Sequence, residues 1–363
     1  MQKKSKSLNQ QENTLSDESQ EMLDKLYADV VATRSIGRLE RVVGPEVYRV
    51  LRGLFRTPAS IIGMLLLAFF IFVAIFAPMI IPSRGGTRDQ YQIPRDGFRS
   101  IPKEMMSEWD RQTPEYVPGW YKVVFNRNEW VHIMGTTAGG YDIFYGIIWG
   151  TRTAFRSGLI ITILTLVIGV FLGSVAAYYG GKVDNIIMRV VDIFFTLPFL
   201  LAALILAAVL IPKIGRSNVP AIIALTVFGW MGYARLIRGD ILSVKERDYV
   251  LAAHVIGAKD SVILFRHIIP NAIFPTLIYA SMDMGGVVLY FAALSFLGVG
   301  AELGYADWGQ ILSFARDWIS TLSEYWFMVV FPGLTLMLFV LGWNLIGDAV
   351  RDLMDPRMRG KGA

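Results

Sequence analysis

Long apolar runs punctuated by charge set the plan of this chain. The first run, ASIIGMLLLAFFIFVAIFAPMII at residues 59–81, carries no charge. At ~1.5 Å per residue it crosses a hydrocarbon layer of ~30 Å. GLIITILTLVIGVFLGSVAAYY (158–179), FFTLPFLLAALILAAVLI (194–211) and VPAIIALTVFGWMGYARLI (219–237) follow. Two further runs cover about residues 272–297 and 326–347. The pattern predicts an all-α integral membrane protein with six transmembrane helices. A polar external segment separates the first two, spaced by Pro94, Pro102, Pro114 and Pro118. Its Trp109, Trp120, Tyr121 and Trp130 either pack the loop on itself, the simpler reading, or meet a partner protein.

Composition agrees. The 363 residues are 54% hydrophobic and only 18% charged, too apolar for an ordinary soluble domain. The net charge of +5 does not argue for nucleic acid, because Lys and Arg of membrane proteins collect in cytoplasmic loops. Lys213 and Arg216 sit in the hairpin after the third run. Arg238, Lys245, Arg247, Lys259 and Arg266 follow the fourth, and Arg351, Arg357, Arg359 and Lys361 lie at the C-terminal end. Placing both termini and the 239–270 loop in the cytoplasm satisfies this bias. Residues 1–57 read as a polar N-terminal tail. Arg41, Arg49, Arg52 and Arg56 suit either a helix lying on the membrane or a solvated tail. Its first twenty residues contain no apolar core of a signal peptide, so the first span is expected to direct insertion. There is no cysteine, which excludes thiol catalysis and Cys-ligated metal. His132, His254 and His267 are too dispersed for a metal site. No cofactor is implied.

The segment YVLAAHVIGAKDSVILFRHIIPN (249–271) interrupts the apolar plan. With Asp248, Lys259, Asp260, Arg266 and His267 it cannot span, since each charge costs a few kcal/mol at the bilayer centre. It reads as two short helices broken at Gly257, where a β-carbon would oppose the turn. Ala252 and Ala253 leave room for close approach of another surface, and Pro270 suits the first turn of the fifth span. Periodicity alone favours a helical loop packed on its own spans; a handle for a soluble partner is the alternative. Upstream, Gly180 and Gly181 end the second span, Asp184 is placed to cap the next helix, and Arg189 and Asp192 are spaced to pair.

The spacing Leu251-Ala252-Ala253, Gly257, His267, Pro270 resembles the EAA signature of permease subunits in ABC importers, closest to the dipeptide/oligopeptide (peptide/nickel) branch. Tyr249, Val250, Ala258, Arg266 and Asn271 also fit, whereas Leu251 and His254 stand where glutamate and arginine are usual. AAYYGGKVDNIIMRVVDIFFTLP (176–198), AALSFLGVG (292–300) with Trp308-Gly309, HIMGTTAGGYDIFYGIIWGTRTAF (132–155) and NLIGDAVRDLMDPRMR (344–359) resemble further family stretches. The resemblance implies a type I ABC importer permease fold of the second-permease type. The expected division is a cytoplasmic tail (1–57), a first transmembrane helix (58–81), an external segment (82–153), a permease domain (154–348) with the EAA loop at 239–270, and a cytoplasmic tail (349–363). The implied partners are a second permease subunit forming a heterodimer, two ATP-binding cassette ATPases and an external solute-binding protein. The chain is then a multi-pass protein of the cell membrane whose ATPase activity resides in its partners; no G-x-x-x-x-G-K-[ST] loop occurs. Tyr249, Leu251, Ala252, Ala253, Gly257, His267 and Pro270 form the expected ATPase-coupling loop. The pore candidates are Asp283, an acid within the fifth span, and Phe291, where the family commonly has glutamate. Peptides are the expected substrate, with oligosaccharides or nickel as alternatives. An ion-coupled secondary transporter and an intramembrane enzyme are the rival classes. No repeat between the halves supports the first, and no H-E-x-x-H or G-x-S-x-G the second.

Overall fold

The computed structural model describes residues 55, 57–82, 89–95, 101–105, 107–108, 118–126, 131–321 and 323–354. The expectations for residues 1–54, Arg56, Trp109, Trp130 and the tail beyond Met354 lie outside the described residues. Helix α1 is Pro58–Ile80. Pro58 opens it, where a missing N–H costs nothing. Its buried residues, Ser60, Gly63, Leu67, Phe70, Val73 and Ala77, recur every three or four positions and make one stripe. The other faces are just as apolar yet exposed, through Leu65, Phe69, Phe72 and Ile75. A helix apolar all round that packs on protein along one stripe offers the rest to lipid.

The chain continues through a two-residue antiparallel pair, β1 (Ser107–Glu108) and β2 (Val131–His132), which flank α2 (Gly119–Phe125). Then come α3 (Ile143–Tyr179), α4 (Gly181–Phe195), α5 (Phe199–Ile214), α6 (Asn218–Lys245), α7 (Asp248–Val255), α8 (Ile269–Phe296), α9 (Trp308–Ser313) and α10 (Phe327–Met354). Among the described residues, α1, α3, α6, the run Asp260–Phe296 and α10 are long and apolar enough to cross a membrane. The bent pair of α4 and α5 supplies a sixth crossing when taken as one span.

Three elements depart from the hydropathy reading. The helix expected from residue 158 begins at Ile143 and runs unbroken for 37 residues. Arg152 and Arg156 break the apolar pattern, so hydropathy reveals only its second half. The first half is covered by protein instead: Ile143, Tyr145, Ile147 and Trp149 share a core with Ile81 at the end of α1 and with Ile93 and Tyr121 of the 82–142 segment. Asp142 starts the helix, its Oδ1 accepting the Tyr145 N–H at 2.8 Å while its Oδ2 pairs with His132 Nδ1 at 2.8 Å. The boundary expected between 153 and 154 therefore falls inside one helix.

The third span is not a straight helix over 194–211. The axis turns by 90° between α4 and α5, across Thr196, Leu197 and Pro198. Proline restricts the residue before it to extended backbone, which ends α4. Residues 260–270 are also not a separate short helix. Asp260–Val262 passes directly into a π-helical stretch, Ile263–Ile268, and on into α8. Pro270 lacks an N–H and crowds the carbonyl one turn back; the wider π turn upstream absorbs that misfit.

The tightest helix pair is α3 with α6. A β-carbon on Gly169 would lie 2.5 Å from Tyr233 Cβ, and one on Gly173 would overlap the Ala234 carbonyl. Small residues here let two backbones approach closely, as helices must when lipid supplies no hydrophobic drive. At one end of this pair the polar segment folds onto the bundle. Trp149 Nε1 donates to the Ile81 carbonyl at 3.0 Å, and Trp120 Nε1 donates to the Ile80 carbonyl at 2.7 Å. Tyr121 is fully buried, so the described aromatic residues of this segment pack it on its own chain.

Candidate functional site

At the opposite end of α3, a knuckle of chain joins α6 to α8. Arg247 precedes α7, and Ile256 follows it. Gly257 has φ +74°. The Ala258 N–H donates back to the Ala253 carbonyl at 3.1 Å and the Gly257 N–H to the His254 carbonyl at 3.0 Å. This pair of bonds is the Schellman ending, which calls for a left-handed residue at the glycine position. No other atom lies within 4 Å of a β-carbon built there. Gly257 is thus required by backbone conformation and not by crowding within this chain.

The knuckle has two faces. Val250 and Ala253 point inward, into a core with Ile237 and Ile241 of α6 and Ile263, Ile268 and Ala272 on the α8 side. Tyr249, Leu251, Ala252, Val255 and Ile256 point outward; Val255 is 87% and Ile256 81% exposed. The two alanines therefore divide their work, Ala253 closing the contact with the spans and Ala252 facing away. His267 is half-buried and Pro270 exposed in the run into α8. The Asn271 side chain donates to the His267 carbonyl at 2.6 Å.

Tyr178, at the end of α3, is the anchor that sequence reasoning missed. Its hydroxyl donates to Asp260 Oδ1 at 2.8 Å. Its carbonyl accepts from Lys245 Nζ at 2.6 Å, and the same ammonium lies 5.5 Å from its ring centroid. The His254 ring stacks on it, with centroids 6.4 Å apart and planes 17° from parallel. One tyrosine thereby ties α3 to both sides of α7. Its signal in the sequence is weak, a Tyr-Tyr pair before two glycines.

The charges at the start of the bent pair serve a related purpose. Asp184 does not cap α4 with its side chain, and Asp192 takes a partner from another helix instead of Arg189. Arg238 donates to both Asp184 oxygens, at 2.6 and 2.5 Å, and Arg235 to Asp192 at 2.7 Å. At Asp184 cross-helix pairing wins because the Arg238 fork meets both carboxylate oxygens at once; Arg235 reaches a single oxygen of Asp192. Both bridges bind α4 to α6, next to the knuckle.

Between α3, the bend of α4 and α5, α6 and α8 lies a cavity of about 270 Å³. Asp283 lines it together with Thr165, Phe194, Phe199, Tyr279 and Tyr290. Asp283 Oδ2 accepts the Tyr233 hydroxyl at 2.8 Å, so one oxygen is held while the carboxylate borders open space. Phe291, the other pore candidate, faces elsewhere. It is 2% exposed and packs with Ile161, Ala203, Ala207 and Leu225. One step along α8 turns a side chain by ~100°, which carries Tyr290 to the cavity and Phe291 into the core.

Two family models match the chain. "Binding-protein-dependent transport system inner membrane component" covers residues 166–360, and "N-terminal TM domain of oligopeptide transport permease C" covers 48–94. The dipeptide transport system permease protein DppC of Alkalihalophilus pseudofirmus is 33% identical over 301 residues, spanning 83% of this chain and 86% of that protein. The oligopeptide transport system permease protein OppC of Bacillus subtilis is 38% identical over 228 residues, 63% of this chain and 72% of that one. A chain of the MetNI methionine ABC transporter in an inward-facing conformation aligns with TM-score 0.47 at 20% identity, covering 59% of this chain and 98% of that one. That last likeness is too loose to add to the fold described above. On the two family matches and the relative that spans 83% of the chain, this multi-pass membrane protein belongs to the family of binding-protein-dependent transport system inner membrane components.

Proposed function

We propose that this chain forms half of the passage of an ATP-driven peptide importer in the cell membrane. A second permease subunit supplies the other half, two ATPase subunits sit on the cytoplasmic side, and an external binding protein delivers the peptide. Both termini and α7 face the cytoplasm, and ATP hydrolysis takes place in the partners. The observation that carries this reading is the two-faced knuckle. It is fastened to the spans through Val250, Ala253 and Tyr178, yet it leaves Leu251, Val255 and Ile256 uncovered. An apolar helix face beside a membrane domain suits the groove of a soluble partner. Because the knuckle is fastened to α3, α6 and α8 at once, movement of the ATPase is passed to all three. The ATPase biases the passage only if it grips α7 differently in its two nucleotide states.

The same reading gives Asp283 a role. It borders the cavity between α3, the bend of α4 and α5, α6 and α8, and the surrounding rings of Tyr279 and Tyr290 suit a substrate with apolar side chains and an amine. The test is uptake of a labelled dipeptide by vesicles holding the complete assembly. ATP on the α7 side drives uptake and ATP on the other side does not. Uptake by vesicles lacking the ATPases, driven by an ion gradient, rejects the reading.

A further inference from the structure

A second cavity, about 780 Å³, opens beside the first half of α3, at Thr153, Arg156, Ser157 and Ile160. Asp89, Arg156, Arg216, Asn218, Glu302 and Tyr305 line it. They come from four parts of the chain: the segment after α1, helix α3, the turn that opens α6, and the loop between α8 and α9. Short bonds hold these parts in register. The Ile93 N–H donates to the Gly304 carbonyl at 2.7 Å and the Ala306 N–H to the Tyr91 carbonyl at 2.8 Å. Arg216 donates to the Gly298 carbonyl at 2.7 Å, leaving most of its guanidinium donors for other use.

The chemistry of the lining is specific. Two guanidinium groups and two carboxylates face one space, and among the described residues none of the four is in an ion pair. Asn218 Oδ1 is buried and accepts no hydrogen bond. Burial pushes the Tyr305 hydroxyl up to about 12; Asp89 and Tyr91 add to that, while Arg156 and Thr153 oppose it. Arg156 stands two residues before the apolar run at 158–179. The volume falls in the ~300–1,000 Å³ range of small-molecule sites and exceeds what a lone ion fills.

We propose that this cavity is an outer receiving subsite for a zwitterionic peptide, with Arg156 and Arg216 holding the C-terminal carboxylate and Asp89 and Glu302 the N-terminal ammonium. The inference rests on the peptide-importer reading and adds a place where free peptide termini are read before passage. A guanidinium fork matches a carboxylate in two bonds. Asn218 Oδ1 is a further acceptor for a peptide N–H. The subsite lies against the first half of α3 and the knuckle is tied to its last turn through Tyr178, so an occupied cavity and a gripped knuckle act on the same helix.

The test uses the complete assembly in vesicles, with the binding protein saturated by either a tripeptide or its C-terminal amide. The quantity read is the ratio of the two uptake rates within one preparation, which cancels differences in the amount of folded protein. In the unaltered assembly the free acid is taken up about tenfold faster, the scale of one charge-assisted contact. Arg156→Gln brings the ratio close to one, and Arg156→Lys restores much of it. Glu302→Gln does the same for the free amine against its N-acetyl form. If Arg156→Gln does not assemble, Arg216→Gln, in the exposed turn between α5 and α6, reads the same ratio. Unchanged ratios in these variants overturn the subsite and leave the peptide importer standing. An unaltered assembly that takes up no peptide overturns both.

Discussion

Replacing Val255 and Ile256 together by serine removes apolar surface that this chain does not use in its own core. The two side chains are 87% and 81% exposed. Full burial of such a side chain is worth about 1.5–3 kcal/mol. The lower part of that range applies to a helix docked by one face, whose rim stays wet. The pair then contributes about 3 kcal/mol to the grip on the ATPase, or on the order of a hundredfold in affinity. The assay is a titration of the purified ATPase onto the permease pair held in detergent, with both alleles prepared side by side. Melting of the permease itself serves as the control and moves by less than about 0.5 kcal/mol, as expected for surface positions. An affinity within about threefold of the original, with normal melting, refutes the claim that this face carries the dock.

Gly257→Leu forces a branched residue into a left-handed turn at φ +74° and costs about 1–2 kcal/mol locally; membrane insertion is kept, ATP-dependent uptake is lost and the ATPase is held more loosely in pull-down. Tyr178→Phe keeps the ring against His254 and Lys245 but deletes the bond to Asp260. ATPase binding stays, while peptide moved per ATP hydrolysed falls, measured in vesicles by paired uptake and phosphate release. Gly173→Leu drives a side chain into the Ala234 backbone, and overpacking at a backbone contact costs about 3 kcal/mol or more; the chain unfolds at a lower detergent or temperature midpoint. Asp283→Asn preserves a partner for the Tyr233 hydroxyl while deleting the charge, so uptake falls and melting does not.

The spans were legible because lipid exposure demands apolar residues on every face, and α1 shows that demand in an unbroken run. Hydropathy failed where protein replaced lipid. The first half of α3 carries Arg152 and Arg156 and is sheltered by the folded segment between α1 and α3, so no apolar run marks it. The bend at Pro198 has a local signal; its 90° angle has none, being set by how α4 and α5 each pack on α6. At the knuckle, spacing picked out Gly257 and the alanine pair. It did not separate Ala253 from Ala252, because facing depends on where α6 and α8 place their apolar residues. The pairings of Asp184 with Arg238 and of Tyr178 with Asp260 join positions 54 and 82 residues apart. No periodic pattern reports contacts of that range. Asp283 was marked by its charge inside an apolar run, whereas Phe291 was marked only by substitution, and its side chain turned out to serve packing.

The central claim is that the exposed face of α7 is seated on a nucleotide-hydrolysing subunit. The chain contains no cysteine, so Val255→Cys introduces a unique thiol. A short bifunctional thiol reagent, applied to the purified assembly with single cysteines placed in the ATPase groove, measures this contact directly. The account predicts a covalent permease–ATPase product whose yield changes between nucleotide-free and ATP-bound states. A thiol at 255 that joins only the external binding protein, or is labelled by an impermeant reagent from outside intact cells, contradicts it.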